Sequence, residues 1–345
     1  MSRDVLSDLL RSVRLRGAVF YYVSYRGEWA AAAPPARDIA DAVMPGAEHV
    51  MAYHMLVKGD GWAAVSGEQP VRIGAGDLLM LPHGNAHVMS QAPNLEANDE
   101  DADWVYETRH HSRPVPIARY RGVVEPGAFV PVEDADTVLI CGFLGCDLKP
   151  FNPLISALPH LLHLTAGNMG AWVSCVMEQA VSETRERRPG GDAVLERLSE
   201  MLFVDAVRRY LESLPAEATG WLAGLRDRFV GRALTLLHED PAREWTVDAL
   251  GSEVGLSRSA LHERFVALVG QPPMQYLASW RMQVAAGLLR ASQSNVMDVA
   301  LQVGYDSEAA FTRAFKRLMG EPPAAWQRNQ SVGETRDAIS SVDAA

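Results

Sequence analysis

The spacing of apolar residues changes along this chain, and each change marks a part of it. Over the first sixteen residues Leu6, Leu9, Leu10 and Val13 recur among Arg and Asp, which predicts a short amphipathic helix. Residues 17–147 carry short apolar runs ended by Gly, Pro, Asn or Asp, the signature of strands. The predicted strands are Val19–Tyr25, Val50–Val57, Trp62–Val65, Val71–Ile73, Leu78–Leu81, His87–Ser90, Ile117–Val124 and Thr137–Phe143. So many short strands at this spacing predict a barrel or sandwich. Helical spacing resumes after Pro159, with predicted helices from Met169 to Arg187 and, behind an Asp192 cap, from Ala193 to Leu211. Leu214 to Gly220 reads as a linker, and Trp221 to His238 as the first helix of a further domain.

From Val247 to Trp326 one pattern is written twice. Val254-Gly255-Leu256-Ser257, Leu261, Phe265, Leu268, Gly270 and Pro272-Pro273 form the first copy. Val303-Gly304-Tyr305-Asp306-Ser307, Phe311, Phe315, Leu318, Gly320 and Pro322-Pro323 form the second. A repeat of this kind is one supersecondary unit used twice. In each copy a helix, capped by Thr246 in the first and Asn295 in the second, ends at glycine. A serine then caps a second helix whose buried stripe falls at i, i+4 and i+7. Gly251 and Ala300 sit where the paired helices must approach closely. This is the helix-turn-helix pattern, in which the second helix of each unit is free to enter a major groove. The stretch between, Met274 to Arg290, places Leu277, Arg281, Val284, Ala285, Leu288 and Leu289 at helical spacing, as one long connecting helix.

Charge sharpens this division. The chain of 345 residues carries a net charge of −11, yet residues 222–330 are at +1, residues 1–221 at −10 and the last fifteen at −2. An acidic chain does not coat nucleic acid indiscriminately, so phosphate contacts in the repeat must be placed locally. No apolar run reaches the ~20 residues that span a bilayer. Three cysteines, an odd number, argue against a disulfide framework and for a cytoplasmic location.

Candidate chemistry in the strand-rich part centres on Gly76-Asp77, Pro82, Gly84 and His87, spaced G-x5-P-x-G-x2-H. Two turns flank a buried strand and deliver His87 to the next one. This resembles the second motif of the cupin family. The first cupin motif, His-x-His followed by Glu, is reduced to His54-Met55-Leu56, with Leu56 where a second histidine is expected on the same strand face. Two imidazoles are fewer ligands than a stable metal site has. No metal is therefore expected, with His54, His87, Cys141 and Cys146 as the only candidate ligands and a metal ion in the barrel as the only candidate cofactor. The same strands make His54, Leu56, His87 and Cys141 the candidate effector pocket. His110-His111, between Arg109 and Arg113, reads as a polar loop, and Asn94–Asp103 as a mobile one.

Gly304-Tyr305-Asp306-Ser307, Phe311, Arg313, Phe315-Lys316, Gly320, Pro322-Pro323 and Trp326, with the weaker copy before them, resemble the AraC/XylS family of bacterial transcription regulators. The resemblance covers Trp221 to Arg328, and the upstream half is similar to the cupin-type sensor domains fused to such readers. It implies a multidomain α and β chain. A cupin-like β-barrel sensor would occupy 1–165, a helical dimerisation and linker segment 166–220, and a C-terminal all-α double helix-turn-helix domain 221–330, with a disordered tail over 331–345. It also implies groove-facing residues: Arg258, Ser259, His262 and Glu263 in the first reader, and Glu308, Ala309, Thr312, Arg313, Lys316 and Arg317 in the second. Arg313 is the expected base reader, with guanine as partner; Lys316 and Arg317 are expected on phosphates. The implied partners are double-stranded DNA, an unidentified small-molecule effector, RNA polymerase and a second copy of the chain. A regulator rather than an enzyme is expected. The alternatives are a dioxygenase-like cupin metalloenzyme with an appended DNA domain, and a regulator that responds to oxidation of Cys141 or Cys146.

Overall fold

In the computed structural model, contacts divide the chain into two compact units: Leu15–Cys146 with Leu158–Tyr210, and Met1–Arg14 with Asp147–Ala157 and Leu211–Ala345. The structure describes all residues except 1–3, 94, 96, 98–102, 109–113, 121–122, 170, 292–294 and 331–345. The paired histidines 110–111, most of the Asn94–Asp103 loop and the tail 331–345 therefore lie outside the described residues.

The first unit is built on eleven strands: β1 (Arg16–Arg26), β2 (Ala30–Ala33), β3 (His49–Lys58), β4 (Asp60–Val65), β5 (Val71–Gly74), β6 (Leu78–Leu81), β7 (His87–Ser90), β8 (Val115–Tyr120), β9 (Val123–Pro126), β10 (Thr137–Cys146) and β11 (Leu162–Leu164). They form a seven-stranded sheet, β11-β6-β3-β10-β1-β8-β9, and a four-stranded sheet, β2-β7-β4-β5. Every pairing is antiparallel except β1 with β8. The predicted strand Ile117–Val124 is in fact two, a hairpin in which Tyr120 stands opposite Val123; Arg121-Gly122 interrupts the apolar run there. β2 escaped prediction because it is four alanines, poor strand formers that only cross-strand pairing with β7 holds extended.

Alternation sorts the large sheet into two buried faces. Tyr21, Val23, Val50, Ala52, Leu56, Leu79, Leu81, Leu139 and Phe143 share one core with Ala63, Val65, Ile73 and Met89 of the small sheet. The opposite face, with Tyr53, Met55, Leu78, Met80, Ile140 and Leu144, is also buried. Helices number from α1 (Val5–Ser12), through the short α2 (Ala40–Val43), α3 (Asp103–Glu107), α4 (Pro153–Ala157) and α5 (Ala166–Met169), to α6 (Ala171–Glu186) and α7 (Gly191–Ser213). α6 packs on β1 and β10, and the Tyr53 hydroxyl meets Ser199 Oγ of α7 at 2.6 Å. The buried stripes of the two long helices are Val173, Val176, Met177 and Ala180, then Leu195, Leu202, Phe203, Ala206 and Val207.

The second unit is helical: α8 (Trp221–Arg226), α9 (Arg228–Glu239), α10 (Val247–Val254), α11 (Arg258–Val269), α12 (Pro273–Ala291), α13 (Val296–Gln302) and α14 (Glu308–Met319). The helix predicted from Trp221 to His238 breaks at Asp227, which is extended and accepts from the Phe229 and Val230 amides. α1 and α4 belong to this unit, although the sequence places them with the sheets. Gln283 of α12, 1% exposed, donates to the Ser12 carbonyl at 2.8 Å and accepts from the Phe151 amide at 3.0 Å. Asp147 accepts from Arg14 at 2.9 Å and Arg290 at 2.8 Å, so the segments flanking β1 and β10 are tied to α12.

Candidate functional site

The two helix-turn-helix units form as the repeat predicts. Thr246, Ser257, Asn295 and Ser307 each cap a helix, accepting from Ala249, Ala260, Met297 and Ala310 amides. A Cβ on Gly251 would lie 2.7 Å from the Leu256 carbonyl oxygen, so α10 and the turn approach as closely as backbone permits. Beneath the readers, Leu261 and Phe265 in α11 and Phe311 and Phe315 in α14 are buried. With those positions turned inward, helical geometry leaves the opposite face outward. Arg258, Ser259, His262 and Glu263 are exposed on α11; Glu308, Ala309, Arg313, Lys316 and Arg317 are exposed on α14, with Thr312 half-buried beside them. Arg258 pairs with Asp248 at 3.5 Å, a surface contact that a phosphate can displace at small cost.

One supporting residue was not legible beforehand. Arg264 of α11 donates from Nε to both oxygens of Asp227, each at 3.0 Å, and so fastens the first reader to the start of α9. Burial works against the Asp227 charge, but Arg264 and two backbone amides outweigh it and hold the carboxyl below its ordinary range. A continuous helix over 221–238, which the apolar spacing predicts, has no place for this cap.

In the first unit the structure brings His54, His87 and Cys141 together between the sheets. Cys141 stands opposite His54 across β3 and β10, and His87 enters from β7 of the small sheet. His54 Nδ1 lies 3.0 Å from Cys141 Sγ, His54 Nε2 lies 2.7 Å from His87 Nε2, and His87 Nδ1 lies 3.0 Å from the Asn85 carbonyl. The proton positions follow from that last contact. A carbonyl only accepts, so His87 carries its proton on Nδ1 and accepts at Nε2. His54 must then donate from Nε2, which leaves its Nδ1 to accept from the Cys141 thiol. The result is a one-way chain of neutral groups: Cys141 to His54 to His87 to Asn85.

Burial is the largest cause of every shift along this chain. It depresses His54 well below the usual imidazole value, with the nearby His87 adding to the effect, and it depresses His87 as well. It pushes the Cys141 thiol up to about 12, against a small opposing pull from Arg119. A thiol this firmly protonated is a poor nucleophile and a poor target for oxidants. The donors also lie in a line. Cys141 meets one nitrogen of His54 and His87 meets the other, so no single point lies within ligand distance of all three. Cys146 does not join them: it is five residues further along β10, opposite His49 and on the other face. The four candidate metal ligands are thus not brought to one centre. Leu56 shares the inward face with His54 and is buried.

Two clefts open beside this chain. One, of about 560 Å³, is lined by Ala32, Ala33, Ala64, Val65, Val88 and His87. The other, of about 530 Å³, is lined by Arg37, Glu48, His49, His83 and Asn85 among small residues. Asn85 in the motif's second turn and Asp77 in its first were missed as functional supports. Asp77 accepts from His163 at 2.9 Å and from the Ala166 and Gly74 amides, pinning β11 to the turn.

Because His54 and His87 fold with depressed pKa values, the sign of their pH effect is fixed. As pH falls through about 6.5 the unfolded chain takes up protons that the folded one refuses, so stability falls with pH there. We expect the sheet unit's unfolding free energy, measured by urea, to drop between pH 7.5 and 5.5, with a slope of at most ~1.4 kcal/mol per pH unit for each ring. An unchanged difference in His54→Gln/His87→Gln would contradict this.

Two groove-ready helices on one connecting helix, in a chain that also carries a two-sheet cupin domain, define a DNA-binding transcription regulator with a sensing domain. Comparison with known proteins agrees. The Cupin family matches residues 4–212 and the Helix-turn-helix domain family matches residues 250–329. The chain is 30% identical over 334 residues to an AraC-like transcription regulator of Streptomyces lividans, covering 95% of this chain and 99% of that one. It is 26% identical over 323 residues to the HTH-type transcriptional regulator AlkR of Acinetobacter baylyi, covering 93% and 97%. The DNA-binding domain of AdpA, solved with a target DNA, is 29% identical and covers 30% of this chain and 92% of its own, at a TM-score of 0.28. The chain belongs to the family of AraC-like transcription regulators.

Proposed function

We propose that this regulator reads two successive major grooves on one face of DNA, through α11 and α14, and that a small molecule bound in the sheet unit sets its activity. The observation that carries the reading is the outward face of the two recognition helices. Four polar side chains project from α11 and a basic cluster, Arg313, Lys316 and Arg317, from α14. Arg313 reads a base, guanine through O6 and N7, while Lys316 and Arg317 hold phosphates. Glu263 accepts from a cytosine amino group, which makes the first reader selective and the second the anchor.

The effector site is the cleft beside His87, backed by His54, Leu56 and Cys141. Its alanine and valine walls suit an apolar group, and Ser66 is the polar side chain in its lining besides His87. An effector acts only if it binds one state of the protein better than another. The exposed Val194 and Met201 of α7, seven residues apart and so on one helical face, support a homodimer through that helix. No helix among the described residues is long and apolar enough to cross a membrane. A cytoplasmic regulator that meets RNA polymerase at its promoters fits these features.

The test is a pair of substitutions measured on DNA selected by the intact protein and on random DNA. Arg313→Ala is expected to lose ~1–3 kcal/mol on the selected sequence alone, and Lys316→Ala to weaken both DNAs alike. Equal losses on both DNAs for Arg313→Ala would refute the base-reading role.

A further inference from the structure

Arg281 lies in the middle of α12, half-buried and facing both helix-turn-helix units at once. Its Nε donates to the Pro241 carbonyl at 2.7 Å, and its Nη2 to the Arg243 carbonyl at 3.0 Å and, at 3.5 Å, to that of Ala242. Those residues form the loop that leads into α10. Its Nη1 donates to the Gly304 carbonyl at 3.1 Å, in the turn between α13 and α14. The two loops also touch directly. Gly304 is left-handed, with φ +82°, and a Cβ there would lie 2.5 Å from the Ala242 oxygen. One guanidinium therefore closes the seam between the first reader's loop and the second reader's turn. The Tyr305 ring lies 5.8 Å from the guanidinium carbon.

A single helix fixes the distance between two units at its ends, but it leaves each unit free to roll on its own small contact. A cross-link away from the axis removes that freedom. Arginine suits the role because its rigid planar fork reaches several carbonyls in different directions, which a lysine ammonium cannot do from one point. Burial lowers the Arg281 pKa, but a guanidinium stays charged throughout the working pH range.

We infer that Arg281 is a positioning residue that sets specificity without touching DNA: it fixes the angle between α11 and α14, and thereby the one half-site separation the protein accepts. This rests on the reading that both helices occupy grooves. Moving one half-site by a single base pair shifts it by ~3.4 Å and turns it by ~35°, which a rigid pair cannot follow. A pair free to roll can.

The experiment selects binding sites from random-sequence duplex DNA with the full-length protein and reads both the half-sites and their spacing. Wild type is expected to return two half-sites at one spacing, and to lose about tenfold or more in affinity when one base pair is inserted between them. Arg281→Met is expected to return the same half-site sequences at several spacings, with the penalty for the inserted base pair largely gone. Arg281→Lys keeps the charge without the fork and should show the same spread; it serves if Arg281→Met does not fold. A single sharp spacing in whichever variant folds overturns the proposal, as does loss of the half-site sequences themselves, which would mark Arg281 as a general support of the fold. If neither variant folds, the same conclusion holds. If wild type selects no paired half-sites, the groove reading fails and takes this inference with it.

Discussion

Asp147→Ala is expected to destabilise the helical unit by about 3 kcal/mol, because it removes a nearly buried carboxylate that two arginines share. Asp147, with its side chain 7% exposed, accepts from Arg14 Nε at 2.9 Å and Nη2 at 3.1 Å, and from Arg290 Nη2 at 2.8 Å. The Arg290 side chain is 11% exposed and stacks toward Trp326, with its guanidinium carbon 5.0 Å from the ring centroid. Without the carboxylate, water can reach Arg14 but hardly Arg290, which places the cost at the lower end of the range for breaking a buried pair. Asp147→Ala combined with Arg290→Met should recover part of the loss, since the more buried of the two cations that the carboxylate served is then gone as well. Urea unfolding of the three proteins measures this. A loss under about 0.5 kcal/mol for the single variant would mean that solvent compensates the arginines.

Phe315→Ala is expected to cost ~3–5 kcal/mol, a large part of the stability a small domain has. Phe315 is fully buried at the centre of a cluster that joins α12, α13 and α14, with Phe311 and Trp326 rings each 5.6 Å away. A small helical unit has few layers of side chain and little means of collapsing around a lost ring. Hydrogen exchange should show α13 and α14 opening while the sheet unit keeps its protection. Uniform loosening of the whole chain, or unchanged protection of α14, would argue that the cluster is not an independent core.

Local rules carried the sequence reading furthest in the repeat. Caps, turn glycines and an i, i+4, i+7 stripe all act within one helical turn or two, so Thr246, Ser257, Asn295 and Ser307 could be placed as caps from the residues alone. The outward residues followed once the inward ones were known. The strands of the sheet unit were legible where apolar runs were flanked by turn residues, and invisible where a neighbour supplies the order, as in the alanines of β2. Asp227 looked like one residue in a continuous helix because its partner, Arg264, is 37 positions away.

The sequence by itself determined the class of the protein, the two helix-turn-helix units with the buried stripe of each, and the pairing of a cupin motif with them. These depend on periods and spacings that a chain expresses locally. Tertiary structure alone decided that His54, His87 and Cys141 meet in a directed hydrogen-bond chain, because ring orientation and burial set the protons. It alone placed α1 and the segment after β10 on α12, through a glutamine and a carboxylate that no local pattern singles out. And it alone showed that the repeat is not two independent readers on a rod. Arg281 reads in sequence as one more position in a helical stripe. In space its fork reaches Pro241, Arg243 and Gly304, residues 40, 38 and 23 positions away, and joins the two copies into one body.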